Sequence, residues 1–150
     1  EEIVLHVGPG TFAPVVTDNP ENHVMHSEEF EISHEVAASL NDAVRRKRRI
    51  IAVGTTSVRV LESCYNSDVG YVAGKGETKI FIYPGKYQWK VVNGMISNFH
   101  LPKSTLIMLM ASFLESKGVK EPTRKILQIY QIAKENDYRF FSFGDAMYVY

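Results

Sequence analysis

The sequence predicts an α/β fold, a layered domain built on a mixed sheet, and three observations carry that reading. Short β-branched apolar runs alternate with longer stretches whose apolar residues recur at helical spacing. Polar, glycine-containing turns follow several of the apolar runs and lead into the helical stretches. The length of 150 residues, with 45% hydrophobic and 23% charged side chains, suits one globular core of average composition.

Ile3 to Val7 is bounded by Gly8-Pro9-Gly10, which predicts a buried strand entering a tight loop. Residues 13 to 26, with Pro14, Asp18, Asn19 and Pro20, read as an irregular excursion. Ser33 is placed to cap a helix, Glu35 suits its positive first turn, and Val36, Leu40, Ala43 and Val44 line one face. That helix ends in Arg45-Arg46-Lys47-Arg48-Arg49. Ile50 to Val53 predicts a second buried strand, and Gly54-Thr55-Thr56-Ser57 leads into a helix around Val58 to Ser63. Residues 66 to 78, with Gly70, Gly74 and Gly76, predict a loop. Lys79 to Tyr83 predicts a strand stopped by Pro84-Gly85, while Tyr87 to Val92 and Met95 to Phe99 predict two more, joined by an Asn93-Gly94 hairpin. The helix expected after Pro102 is apolar nearly all round, through Leu106, Ile107, Leu109, Met110, Phe113 and Leu114, and should be deeply buried. Pro122 opens a second helix with Ile126, Ile129, Tyr130 and Ala133 on one face. Phe140 to Tyr150 reads as an extended aromatic segment broken at Gly144-Asp145.

Composition excludes several classes of function. The longest apolar run, Leu106 to Ala111, is far below the roughly 18 to 20 residues of a membrane span, so no membrane partner is expected. Cys64 is the only cysteine, which forbids an intrachain disulfide and fits a reducing, cytoplasmic setting. Seventeen Lys and Arg balance seventeen Asp and Glu, so contact with nucleic acid must come from local clustering. The chain opens on Glu1 and enters a strand almost at once, so we expect it to be part of a longer protein.

In open α/β sheets, ligands bind beyond the carboxyl ends of strands. Gly8-Pro9-Gly10-Thr11 and Gly54-Thr55-Thr56-Ser57 fit that position, where backbone amides and hydroxyls can hold a carboxylate, ribose or phosphate; both also fit plain capped turns. Neither a Walker loop nor the dinucleotide glycine fingerprint is present, so ATP and NAD lack support. Ser97 to Thr105 is the densest polar stretch, placing Asn98, His100, Lys103 and Ser104 between a strand and a helix. His100 can move protons near neutral pH, although Ser104 or Thr105 also suits the helix cap. His23 and His26 invite a metal reading, but they sit in a loop-like stretch without a third ligand cluster, so no metal is expected. His26 and Glu28 are better read as hydrogen-bonding or proton-transfer groups. Arg45 to Arg49 suits a solvated helix end or contact with phosphates. Cys64 reads as core.

In order along the chain, six stretches resemble one family, the S-adenosylmethionine:tRNA ribosyltransferase-isomerases of queuosine biosynthesis. They are Leu5 to Val15, His23 to Glu28, Ala52 to Glu62, Ile80 to Gly85, Asn98 to Leu106 and Tyr138 to Met147. Members of this family are about twice as long, so the resemblance implies that residues 1 to 150 form the C-terminal part of the main α/β catalytic domain. That domain would be a layered α/β/α unit with a mixed sheet, the family's inserted β-barrel lying outside this chain. Glu77, Asn93 and Ser97 depart mildly from the family pattern, which bears on fine substrate contacts.

The resemblance implies transfer and isomerisation of the ribosyl group of S-adenosylmethionine onto 7-aminomethyl-7-deazaguanine at the wobble position of tRNA. Epoxyqueuosine is formed, and adenine and methionine are released. Such a site needs groups that remove a proton beside the sulfonium, assist adenine departure and deprotonate the incoming amine. On this implied reaction, His100 and Asp145 are assigned to proton transfer, Asp145 with a pKa raised by partial desolvation, and His26 and Glu28 are second candidates. Gly10, Thr11, Thr55, Thr56, Ser57, Arg59, Asn98, Phe99, Lys103 and Ser104 are assigned to S-adenosylmethionine. Phe99 and Phe143 would offer faces to the sulfonium, while Asn98 and Ser104 would orient His100. Arg45, Arg46, Lys47, Arg48 and Arg49 are assigned to tRNA, and a monomer is expected although the sequence leaves the oligomeric state open. Two rivals stand beside this reading: a tRNA- or nucleotide-binding module without chemistry, and a metal-dependent hydrolase built on His23 and His26.

Overall fold

A computed structural model describes residues 1 to 8, 21 and 23 to 150. In chain order its elements are β1 (Val4–His6), β2 (Glu28–Ile32), α1 (His34–Arg45), β3 (Ile50–Val53), α2 (Thr55–Cys64), β4 (Gly74–Thr78), β5 (Val92–Asn98), α3 (Thr105–Ser116), α4 (Pro122–Glu135) and β6 (Ala146–Val149). Among the described residues two three-stranded sheets result, one ordered β1-β2-β4 and one ordered β3-β5-β6. The first is antiparallel throughout. In the second, β3 runs parallel to β5 and β6 antiparallel to it, which is the mixed sheet of an α/β fold.

Local chemistry accounts for the helices. Ser33 Oγ accepts from the Val36 amide at 3.2 Å and so starts α1, with Glu35 in the first turn. Ser104 does the same for α3 through Ile107, and Pro122 opens α4 where its missing N–H costs nothing. Helix α3 is buried around most of its circumference, as its apolar sequence predicts; Met110, Ala111 and Phe113 are fully enclosed. Ile126, Tyr130 and Ala133 of α4 and Val58, Val60 and Leu61 of α2 complete the core with Met95 of β5.

Four sequence expectations are corrected. Val4 and Val7 are about half exposed, so β1 is an exposed strand at the edge of its sheet. Gly74–Thr78, predicted as loop, pairs along β2, and Gly76 lies where an added Cβ would meet the Phe30 ring. The apolar run Lys79 to Tyr83 forms no strand. Its pairing capacity is partly taken by a side chain, since the Ile80 carbonyl accepts from Arg59 Nε at 3.1 Å.

The Asn93-Gly94 hairpin is also absent, because β5 passes straight through those residues and Tyr87 to Val91 lie outside any strand. Asn93 Oδ1 accepts from the Ile50 amide at 2.8 Å, next to a register shift in the β3–β5 pairing. Gly94 is needed for close packing: a Cβ there would come within 3.1 Å of Ile51, Tyr148 and the Val149 carbonyl. Glu62, fully buried, takes the place of a strand neighbour before β5. Its carboxylate accepts from the amides of Lys90, Val91 and Val92 and from the Tyr87 hydroxyl.

Candidate active site

Chain direction gathers the polar loops. Because β3 and β5 are parallel, with Val53 beside Ile96, both carboxyl ends lie at one edge of the mixed sheet. Strand β6 runs the other way and begins with Ala146 beside Asn98, so residues leading into it reach the same edge. Among the described residues, three segments therefore border one site region: Gly54 to Ser57, Asn98 to Ser104, and Phe141 to Asp145. Gly54 adopts φ +90°, a conformation suited to glycine, while its amide donates to the Ile96 carbonyl at 2.8 Å. This turn sets the start of α2 at Thr55, which is buried, with Thr56 and Ser57 half-buried.

His100 sits at the centre of this edge. Its Nε2 lies 2.6 Å from Ser97 Oγ, and its backbone amide donates to the Tyr130 hydroxyl at 3.1 Å. Burial holds the imidazole down at about pKa 4, so it is neutral at pH 7. The orientation expected from Asn98 and Ser104 comes instead from Ser97 and Tyr130. Ser104, assigned to the cofactor from sequence, spends its hydroxyl on the helix cap and on donation to the Leu101 carbonyl at 2.7 Å. A cavity of about 320 Å³ opens beside His100, walled by Asn98, Leu101, Leu106, Phe141 and Ser142.

Phe99 is buried at 3% exposure, stacked on Phe140 and edge-on to Tyr130 and Tyr138, so it offers no face to a ligand. Phe143 is exposed and keeps that capacity. Lys103 is exposed and adopts a left-handed backbone.

Asp145 reverses its expectation. Arg139 donates to its carboxylate from Nε at 3.0 Å, from Nη2 at 3.1 Å and from the backbone amide at 2.6 Å. These bonds hold the carboxyl down at about pKa 2, which makes it a stable anion and a weak base. Glu28 and Arg59 are corrected together. They form a buried ion pair at 2.5 Å, 1% and 3% exposed, and Arg59 also donates to the carbonyls of Ile80 and His26. A guanidinium so enclosed holds the protein's own chain in place of a cofactor, and Glu28 has its carboxylate committed to it.

The remaining sites divide. His26 is exposed, and the His23 ring packs against Phe81 at 5.2 Å. Among the described residues, no group of three or more His, Cys, Asp and Glu side chains is placed to hold a metal ion. Gly10 and Thr11 lie outside the described residues. In the basic run, Arg45, Arg46 and Arg48 all donate to the carboxylate of Asp42. Lys47 stays exposed, while Arg49 donates to the Tyr148 hydroxyl and lies over the Tyr150 ring. Cys64 is half-buried, and burial pushes its thiol pKa up, which suits the core reading.

Sequence reasoning missed the supporting residues Ser97, Tyr130, Phe141 and Arg139. Ser97 was within reach, since strand alternation through Met95 and Ser97 places it on the buried side of β5. The others meet the site only through tertiary packing.

The family of queuosine biosynthesis proteins matches residues 1 to 149. Among curated relatives, the S-adenosylmethionine:tRNA ribosyltransferase-isomerase of Thermus thermophilus is 51% identical over 147 residues, which is 98% of this chain and 40% of the relative. The protein of that name from Natranaerobius thermophilus is 52% identical over 148 residues, 99% of this chain and 41% of its own. A crystal structure of an S-adenosylmethionine tRNA ribosyltransferase from Thermotoga maritima is similar with a TM-score of 0.72 at 36% identity, over 100% of this chain and 44% of that one. The chain thus spans about 40% of the length of the curated relatives it matches. Among the described residues, no helix is long and apolar enough to cross a membrane.

Proposed function

The chain belongs to the family of queuosine biosynthesis proteins, and from that premise we propose that it forms the C-terminal part of the catalytic α/β domain of an S-adenosylmethionine:tRNA ribosyltransferase-isomerase. The whole protein moves and isomerises the ribosyl group of S-adenosylmethionine onto 7-aminomethyl-7-deazaguanine at the tRNA wobble position, releasing adenine and methionine, in the cytoplasm and without a metal. The observation that carries this reading is identity of about 50% along 98% of the chain with relatives bearing that name.

The site geometry supports it by offering chemically different groups at one sheet edge. Thr55, Thr56 and Ser57 at the start of α2 supply hydroxyls and free amides for a carboxylate or ribose. His100, neutral and held through Nε2, presents a hydrogen-bonding ring to the site; its lowered pKa makes it a weak base, so the proton transfer near neutral pH expected from sequence is confined to a strongly acidic group on bound substrate. Asp145 stays ionised with its charge balanced by Arg139, and so fixes the turn that borders the site in place of acting as a base. Exposed His26 is the remaining candidate for proton transfer. The cations of Arg45 to Arg49 would meet tRNA phosphates, exchanging the Asp42 carboxylate for them.

The test uses the full-length protein with S-adenosylmethionine and tRNA carrying the 7-deazaguanine precursor. Adenine release that depends on that tRNA, with the matching mass gain in the wobble nucleoside, is the expected result. Binding of tRNA without adenine release would overturn the reading in favour of a module without chemistry.

A further inference from the structure

The cavity beside His100 has features that the roles above leave unused. At about 320 Å³ it sits at the lower end of the roughly 300 to 1,000 Å³ of small-molecule sites, which suits one flat base with the start of its sugar. Its walls combine apolar Leu101 and Leu106 with the Phe141 ring, the Asn98 amide and the neutral His100 imidazole. Asn98 is exposed at the end of β5, and no described residue takes up its side-chain amide.

Phe141 is held in place at a cost. It adopts φ +64°, uncommon for a bulky residue, and its amide donates to the Phe99 carbonyl at 2.9 Å. Its ring meets Phe140 edge-on at 6.3 Å and stays 43% exposed. The strained turn therefore takes this ring out of the buried aromatic cluster and makes it a wall of the cavity. Such a wall supplies a stacking face, while an Asn amide carries the donor and acceptor that pair with the N6 and N7 edge of adenine.

We propose that this cavity is the pocket for an adenine-type base, with Phe141 as stacking face and Asn98 as the edge reader. The assignment rests on the proposed reaction for the source of that base, the adenosyl part of S-adenosylmethionine. His100 then touches the base as a neutral hydrogen-bonding group. A 7-deazaguanine has carbon in place of N7 and an oxygen in place of the N6 amine, so the same amide discriminates against the wobble base of the tRNA.

The experiment measures binding of free adenine to the full-length protein by calorimetry, beside methionine and 7-aminomethyl-7-deazaguanine. Asn98→Ala and Phe141→Ala should each weaken adenine by about tenfold or more and leave methionine unchanged. Ser142→Trp, placed on the exposed rim, fills the cavity without disturbing buried packing and should abolish adenine binding even if Phe141→Ala misfolds. Adenine affinity unchanged in Ser142→Trp overturns the assignment, as does failure of the parent protein to bind adenine or displacement of adenine by the 7-deazaguanine. Adenine release from S-adenosylmethionine, followed in the same preparations, separates the two readings. Release with cavity-independent adenine binding removes the pocket and leaves the reaction; cavity-dependent binding without release leaves the pocket and removes the reaction.

Discussion

Acidification should weaken the fold through His100 well before it protonates the carboxylates. Among the described residues the ring has one hydrogen-bond partner, Ser97 Oγ, and burial lowers its pKa from the ordinary 6.5 to about 4. The unfolded chain therefore binds this proton more readily than the folded one. Stability contributed by keeping the ring neutral is fully present above pH 6.5, falls as pH drops from 6.5 towards 4, and has no further to fall below that. The full loss is about 3 kcal/mol, approached at about 1.4 kcal/mol per pH unit in the middle of the window. Denaturant unfolding of the intact protein at a series of pH values, for the parent and for His100→Gln, isolates this slope as the difference between them. NMR of the imidazole gives its titration directly. A ring that titrates at or above pH 6.5, or parallel stability profiles for parent and variant, would refute the argument. The same neutrality means that turnover should show no acidic limb near pH 6.5 on account of His100.

Three further outcomes are expected. Arg59→Met leaves Glu28 charged in a buried site and should cost about 3 to 5 kcal/mol, whereas the pair Glu28→Gln with Arg59→Met should cost less; a loss under about 1 kcal/mol for the single variant would contradict a buried pair. Arg139→Ala should let the Asp145 carboxyl rise from about 2 towards the usual carboxylate range, read by NMR of the side-chain carbon, and an unmoved value would show that Arg139 is not its cause. Arg46→Ala and Arg48→Ala should each lower the slope of log affinity for tRNA against log salt by about 0.7 to 0.9 if they reach phosphates; an unchanged slope would leave them as helix-end charges held by Asp42.

What could be read from sequence was whatever neighbours in the chain decide. Ser33 and Ser104 cap helices by bonding amides three residues away, and the apolar circumference of α3 announces its burial. Asn93-Gly94 misled because its local preference for a turn is overridden by distant groups, the Ile50 amide on one side and Tyr148 on the other. Gly74–Thr78 hid as a strand because its pairing lies in backbone bonds to β2 and its sequence carries only a weak apolar pattern. In the site, the positions of His100, Asn98 and the hydroxyls of α2 followed from strand ends, but their electrostatics did not. Asp145 was expected to be desolvated and is instead held by Arg139, six residues earlier, across a turn that the composition does not specify. Arg59 and Glu28 found each other across 31 residues.

Helix α2 is fastened at one end to β5 and at the other to the segment that leads into that strand. At its start, the Gly54 amide donates to the Ile96 carbonyl; at its end, Glu62 binds the amides of Lys90, Val91 and Val92. In mechanical terms the helix is a strut pinned along its neighbour, and the pin at its start keeps the backbone of Thr55 to Ser57 in register with the end of β5. Lengthening α2 by a single residue would turn its start by about 100° relative to its anchored end and misalign one loop with the other. The third border among the described residues, the turn carrying Phe141 to Asp145, has separate fastenings, the Phe99 carbonyl and the clasp between Arg139 and Asp145, so it can shift without loosening the strut.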